Sequence, residues 1–351
     1  RAYALLFSRG KIPLPPLHAF FEVTYRCNLR CRFCQFLGIL ENKSPATLRE
    51  AECTLSEIRA IIDQVPSHTL ITLSGGEPLL RHDFCEIAEY ACRRHKVHVI
   101  TNGTLMNETI ARRLMGLRMK NPFGDGLLWV SFSLVGHRKT HDCLTGVPGS
   151  FDMTVAGIRR LLKVRKSRYP CVNVQTVINR TNTTSLRHII EVAKDLGVGI
   201  CNLMVENSGN HFDRESVCEP SDVTSTPSIP RIHESILNEN LKVADTRARE
   251  LGVRIRYPMG GRKHLEDYYS GRQKVSDFLC YAPWTTMMIC ADGEVRSCFG
   301  HSFGSLKTQS LRQVWWGNKM QVFRSGLLRA GTFPGCIGCC MLQPKGKDSI
   351  R

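Results

Sequence analysis

The chain of 351 residues is 42% hydrophobic and 23% charged, which excludes a disordered or fibrous protein and leaves room for one large and one smaller globular domain. It contains no run of about 18 apolar residues and no signal-peptide pattern, so a membrane span is excluded and a cytoplasmic setting is expected. Its net charge of +17 fits an acidic electron-transfer protein, an anionic substrate, nucleic acid or simply a solvated basic surface, and its 16 cysteines, in a reducing compartment, point to metal ligation rather than disulfides.

Residues 1–18 read as an N-terminal extension. Short β-rich runs then alternate with amphipathic helical stretches. Strands are expected at residues 19–25, 70–74, 97–101, 128–134, 172–178 and 199–205. A helix begins after Thr54, with Leu55, Ile58, Ile61 and Ile62 on one face, and others are expected at 84–95, 108–117, 153–164 and 185–196. Six strands with intervening helices imply a parallel sheet. Residues 207–230, rich in Ser, Asp, Thr and Pro, read as a long loop and a candidate lid, and a helix follows at 232–251. From about residue 257 the chain is dense in Cys, Gly and Trp, which divides a first domain, 19–256, from a second, 257–351. Within the second, residues 284–290 and 294–298 flank Asp292-Gly293 as a hairpin.

Cys27, Cys31 and Cys34 follow the first strand, in Tyr25-Arg26-Cys27-Asn28-Leu29-Arg30-Cys31-Arg32-Phe33-Cys34. Thiolates are the ligands of iron-sulfur clusters, and three on one loop hold three irons of a cubane and leave the fourth open to a substrate. A zinc site and a cysteine stripe on one helix face are the other readings of this spacing. Ser74-Gly75-Gly76-Glu77-Pro78 lies at the carboxyl end of the second strand, where parallel α/β folds build their sites, and its paired glycines allow close approach to the backbone. Thr101-Asn102-Gly103 closes the third strand, and Ser133 stands near the end of the fourth.

In this order the two motifs resemble the radical S-adenosylmethionine (radical SAM) superfamily over residues 19–206. The resemblance implies a partial (β/α)6 barrel of TIM type that reductively cleaves S-adenosylmethionine to a 5′-deoxyadenosyl radical and abstracts a hydrogen atom from its substrate. It also implies that Cys27, Cys31 and Cys34 hold a 4Fe-4S cluster whose open iron chelates the methionine amine and carboxylate. Gly75, Gly76 and Glu77 would contact the amine, Phe33 would lie near adenine and Ser133 would contact the ribose. One departure is Ser133-Leu134-Val135-Gly136, where many relatives with C-terminal auxiliary clusters have aspartate in place of Val135.

Near the C-terminus, Cys280 is followed by Gly293 and Cys298, then by Cys336, Cys339 and Cys340. This resembles the SPASM domain or its shorter twitch form, and implies one auxiliary 4Fe-4S cluster held by Cys280, Cys298, Cys336 and Cys339, with Cys340 as an alternative to Cys339. Taken alone, the same cysteines also suit a zinc ribbon. The remaining cysteines read mostly as buried packing residues. Cys143 and Cys218, in expected loops, are candidate hydrogen-atom donors, and His137 and His141 are candidate bases after the fourth strand.

The resemblance favours oxidation of a small molecule, such as dehydrogenation of an aminosugar-type alcohol, with the auxiliary cluster taking the electron. The alternatives are a peptide maturase that forms thioether or carbon-carbon links and a radical epimerase. A non-catalytic zinc or nucleic-acid protein gives the Gly-Gly-Glu-Pro motif no purpose, so nucleic acid is not an expected partner. An acidic flavodoxin or ferredoxin donor is expected.

Overall fold

The computed structural model describes residues 13–121, 123–206, 229–296 and 301–345. Six strands, β1 (His18–Glu22), β2 (Leu70–Ser74), β3 (Lys96–Thr101), β4 (Gly126–Ser133), β5 (Cys171–Ile178) and β6 (Ile200–Val205), pair in parallel and in chain order, and β7 (Arg254–Arg256) extends the sheet beside β6. Each strand boundary falls close to its expected place, because β-branched and aromatic residues alternate there between two faces. One face is apolar and buried under helices, as at Ala19, Phe21, Ile71, Leu73, Val97, Val99, Val130, Phe132, Val172 and Val174. The other carries His18, Phe20, His98, Trp129, Gln175 and Asn202, all partly exposed, and lines the interior of the partial barrel.

The helix at Leu55–Gln64 starts as expected, with a reciprocal cap. Thr54 accepts the Glu57 N–H at 3.3 Å, and the Glu57 carboxylate accepts the Thr54 N–H at 2.7 Å. Ile58, Ile61 and Ile62 bury its apolar face. A helix at Arg138–Thr145 replaces the expected loop, so Cys143 is helical. It is short and mostly polar, and tertiary contacts hold it. Asp142 accepts the N–H groups of Gly149 and Phe151 and the hydroxyl of Ser150, which caps the next helix.

The C-terminal strands are β8 (Phe278–Cys280), β9 (Thr286–Ile289), β10 (Glu294–Arg296), β11 (Ser302–Ser305) and β12 (Leu342–Pro344). β9 and β10 form the expected hairpin, its first strand shorter than expected, with Gly293 at φ +84° in its turn. β9 also pairs in parallel with β1, placing His18 beside Thr286 and Phe21 beside Ile289. The main sheet therefore runs unbroken across residue 257, in the order β11-β10-β9-β1-β2-β3-β4-β5-β6-β7. The described part of the N-terminal extension is tied to the C-terminal segment, since Trp315 and Trp316 donate their indole N–H groups to the carbonyls of Leu14 and Pro13 at 2.9 and 2.8 Å. The expected lid, over its residues 207–228, and Cys218 within it lie outside the described residues, as does Cys298.

Candidate functional site

Beyond Glu22 the chain keeps following the end of β2. Val23 N–H donates to Ser74 at 2.9 Å, Gly76 N–H to Thr24 at 2.7 Å and Glu77 N–H to Arg26 at 2.8 Å. A Cβ on Gly75 or on Gly76 would stand 2.2 Å from the carbonyl oxygen of Thr24 or of Arg26, respectively. The paired glycines thus let the cysteine loop lie against the Gly-Gly-Glu-Pro turn, a requirement of the protein's own backbone. Glu52 braces the same base. Its carboxylate accepts the hydroxyl of Thr24, two guanidinium bonds from Arg26 at 2.9 Å and one from Arg81 at 3.4 Å.

The three thiols of this loop are partly buried. Cys27 Sγ accepts the Leu29 N–H at 3.4 Å and a longer contact from the Asn102 amide at 3.9 Å, and Cys34 Sγ accepts the Phe36 N–H at 3.4 Å. Burial, with the charges of Cys34 and Cys27 added, pushes Cys31 up to about 12, and burial chiefly pushes Cys27 up to about 11. Three mutually repelling soft ligands that ionise only beside a compensating cation, with N–H groups aimed at two of them, fit an iron-sulfur cluster. Among the described residues, no three His, Cys, Asp or Glu side chains gather closely enough to hold a single metal ion.

Glu77 is fully buried. One carboxylate oxygen accepts the Thr101 hydroxyl at 2.7 Å and the Leu79 N–H at 3.0 Å, and the other accepts the Asn102 N–H at 2.6 Å. Burial outweighs these bonds and raises it to about 7. An N–H donor beside it, such as an iron-chelated amine, would favour the anion. Ser133, partly exposed, ends β4 beside Gln175 of β5, and Phe33 stands partly exposed on the cysteine loop. The cysteine loop, Gly75, Gly76, Glu77 and Ser133 therefore share the carboxyl end of the barrel.

The candidate bases follow the carboxyl end of β4. His137 is exposed and bonded to Thr140. His141 is buried, accepts the Val135 N–H at 3.2 Å and is lowered to about 4 by burial, so it braces the backbone after β4. Cys143 is exposed on its helix. Sequence reasoning singled out Thr101-Asn102-Gly103 but missed Glu52 and the polar interior positions Thr72, His98 and Ser131. Their signal is polar residues at every second place in strands covered on one face by helices.

In the C-terminal segment, Cys280 on β8 comes together with Cys336 and Cys339. Burial first, then the neighbouring thiols, pushes Cys280 and Cys336 up to about 12. A hydrogen bond from Cys340 lowers Cys339, and Cys340 is raised in turn. Three neighbouring buried thiols fit a second cluster, with Cys339 and Cys340 adjacent as its alternative ligands.

A family model of the radical SAM superfamily matches residues 21–193, and one of an iron-sulfur cluster-binding domain, SPASM, matches residues 280–340. An AdoMet-dependent heme synthase of Methanosarcina barkeri is 35% identical over 50% of this chain, which spans 47% of that protein's length. The antilisterial bacteriocin subtilosin biosynthesis protein AlbA of Bacillus subtilis is 29% identical over 96% of this chain and 69% of its own length. The structure of Streptococcus suis SuiB bound to S-adenosylmethionine has the same fold, with a TM-score of 0.64 at 14% identity over 93% of this chain and 71% of that one.

Proposed function

The chain belongs to the radical SAM superfamily and carries a SPASM iron-sulfur domain at its C-terminus, and from that premise we propose that it oxidatively modifies a peptide. When bound, S-adenosylmethionine and the cluster of Cys27, Cys31 and Cys34 supply a 5′-deoxyadenosyl radical that takes a hydrogen atom from the substrate. Glu77 holds the methionine amine, Phe33 and Ser133 flank the adenine and ribose, and Gly75 and Gly76 keep the cysteine loop seated. Cys280, Cys298, Cys336 and Cys339 hold the electron acceptor. The exposed Arg30 and Arg32 on the cysteine loop give an acidic flavodoxin or ferredoxin a basic rim to dock on.

The observation that carries the peptide is the likeness to AlbA, which runs through 96% of this chain and so includes the C-terminal domain. Dehydrogenation of an aminosugar-type alcohol is the second reading, favoured by the hydroxyl, imidazole and amide groups that line the barrel at Thr72, His98, Ser131, Asn173, Gln175 and Asn202. The test incubates the anaerobically reconstituted chain with S-adenosylmethionine, dithionite and either a pooled library of synthetic peptides or a set of aminosugars. Peptide products two hydrogens lighter are expected. Unchanged peptides beside an oxidised aminosugar would replace the first reading with the second, and solvent deuterium gained without loss of mass from the substrate would indicate epimerisation instead.

A further inference from the structure

β6 ends at Val205, and the next residue, Glu206, continues its alternation. Cys201, Leu203 and Val205 are buried on the covered face, whereas Ile200, Asn202, Met204 and Glu206 keep some exposure on the interior side. Glu206 therefore stands at the carboxyl end of the barrel, the end that holds the cysteine loop, Glu77 and Ser133. Two buried tyrosines of the helix Arg262–Ser270 grip its backbone. Tyr269 accepts the Glu206 N–H at 2.8 Å and donates to the carbonyl of Ile178, the last residue of β5. Tyr268 donates to the Glu206 carbonyl at 2.7 Å. The Tyr268 ring also lies on Gly338, where a Cβ would stand 2.3 Å from it. Gly338 falls between Cys336 and Cys339, so one side chain spans from Glu206 to the ligand loop of the SPASM cluster.

The backbone of Glu206 is fixed, but its carboxylate has no hydrogen bond or ion pair among the described residues. Other carboxyls at this end are engaged or sealed. Glu52 is held by Thr24, Arg26 and Arg81, Glu77 by Thr101, Leu79 and Asn102, and Glu22, at the end of β1, is buried. Glu206 stays partly exposed, and partial burial raises its carboxyl from the ordinary value, which makes it a stronger base than a carboxylate in water. Among the described residues, the titratable groups that face it are Tyr268 and Tyr269. Burial raises both phenols, so they keep their protons and do not compete for one.

We infer that Glu206 is the proton acceptor of the oxidation, tied through Tyr268 to the loop that holds the electron acceptor. This rests on the oxidative reading above. One hydrogen atom leaves the substrate carbon to the adenosyl group, and one electron passes to the SPASM iron-sulfur cluster. An N–H, O–H or S–H proton of the substrate passes to the Glu206 carboxylate as the C=N, C=O or C–S bond forms. The oxidised substrate holds that proton far more weakly than the parent did, so a carboxylate is basic enough to take it.

The first arm of the test needs no substrate. Carbon-13 NMR of glutamate-labelled holoenzyme with oxidised clusters, assigned through Glu206→Gln, is expected to find the Glu206 carboxyl ionised at about pH 8. A carboxyl still protonated there could not accept a proton and overturns the assignment, and this arm stands even if no peptide or aminosugar is oxidised. In the second arm, with whichever peptide or aminosugar is oxidised as the probe, Glu206→Gln is expected to lower oxidised product per 5′-deoxyadenosine about 100-fold. In Glu206→Ala, added formate should restore part of the product. A wild-type ratio in Glu206→Gln, or a deficit in Glu206→Ala that formate leaves untouched, overturns the proposal. Parallel loss of iron and 5′-deoxyadenosine in both variants assigns Glu206 to the fold and overturns it as well.

Discussion

Glu77 accepts the backbone N–H of Asn102 at 2.6 Å, so one carboxylate joins the carboxyl ends of β2 and β3. Burial raises that carboxyl to about 7, and the methionine amine of bound S-adenosylmethionine, whose N–H groups become stronger donors on chelating the open iron, favours the anion. Binding then releases a proton. Affinity is expected to climb as the pH rises from about 5 to about 7, by at most about tenfold per unit, and to level off above. Equilibrium dialysis of the holoenzyme measures it. Glu77→Gln should bind more weakly and lose the slope, and a wild-type affinity flat across this window would count against the contact.

Gly76→Ala places a methyl 2.2 Å from the Arg26 carbonyl oxygen and 2.6 Å from that of Tyr25. Both are backbone atoms and cannot swing away, so the cysteine loop must lift. A destabilisation of roughly 1–3 kcal/mol is expected. Reconstituted iron should fall toward half its normal content as the N-terminal cluster is lost. Iron analysis and denaturant melts check this, and a variant with full iron content would show that the loop tolerates the shift.

Cysteine substitutions at the two sites should separate the half-reactions. Cys31→Ala should reduce iron from about eight to about four per chain and abolish 5′-deoxyadenosine formation. Cys336→Ala should lose a similar amount of iron yet still form 5′-deoxyadenosine without a matching yield of oxidised product. A normal product yield from folded Cys336→Ala protein lacking its second cluster would remove the electron-acceptor role.

Arg30 and Arg32 are exposed on the cysteine loop. Steering between exposed charges is screened over about 8 Å at physiological ionic strength. Cleavage of S-adenosylmethionine driven by flavodoxin should fall steeply as salt rises, and more gently in Arg32→Glu, whereas cleavage driven by dithionite should change little. Equal salt sensitivity with both reductants would leave the basic rim without a partner.

The barrel strands were legible because each carries its own signal, an apolar face repeating every second residue within Leu70–Ser74 or Cys171–Ile178. The N-terminal cysteine motif was legible for a similar reason, since Cys27, Cys31 and Cys34 share one short loop. What was not legible depends on distant pairing. Nothing in Thr286–Ile289 announces that this strand adds to β1 rather than only to its hairpin partner, because strand propensity names no neighbour. Thr72 and His98 read as unremarkable strand residues until the register places them side by side. Arg138–Thr145 was missed as a helix because it is short and mostly polar, and the bonds that anchor it join Asp142 to Gly149, Ser150 and Phe151 beyond its end.

The parallel ladder between β1 and β9 bears on how this chain could be divided. A fragment ending near residue 256 would keep both motifs of the radical SAM half, yet it would strip one side of β1 of its partner. That would leave a row of bare N–H and C=O groups, beside the cysteine loop, open to any passing strand. Such a fragment is expected to precipitate or self-associate rather than behave as a smaller enzyme. Separate family models match the two halves, but in this fold they are cut from a single sheet.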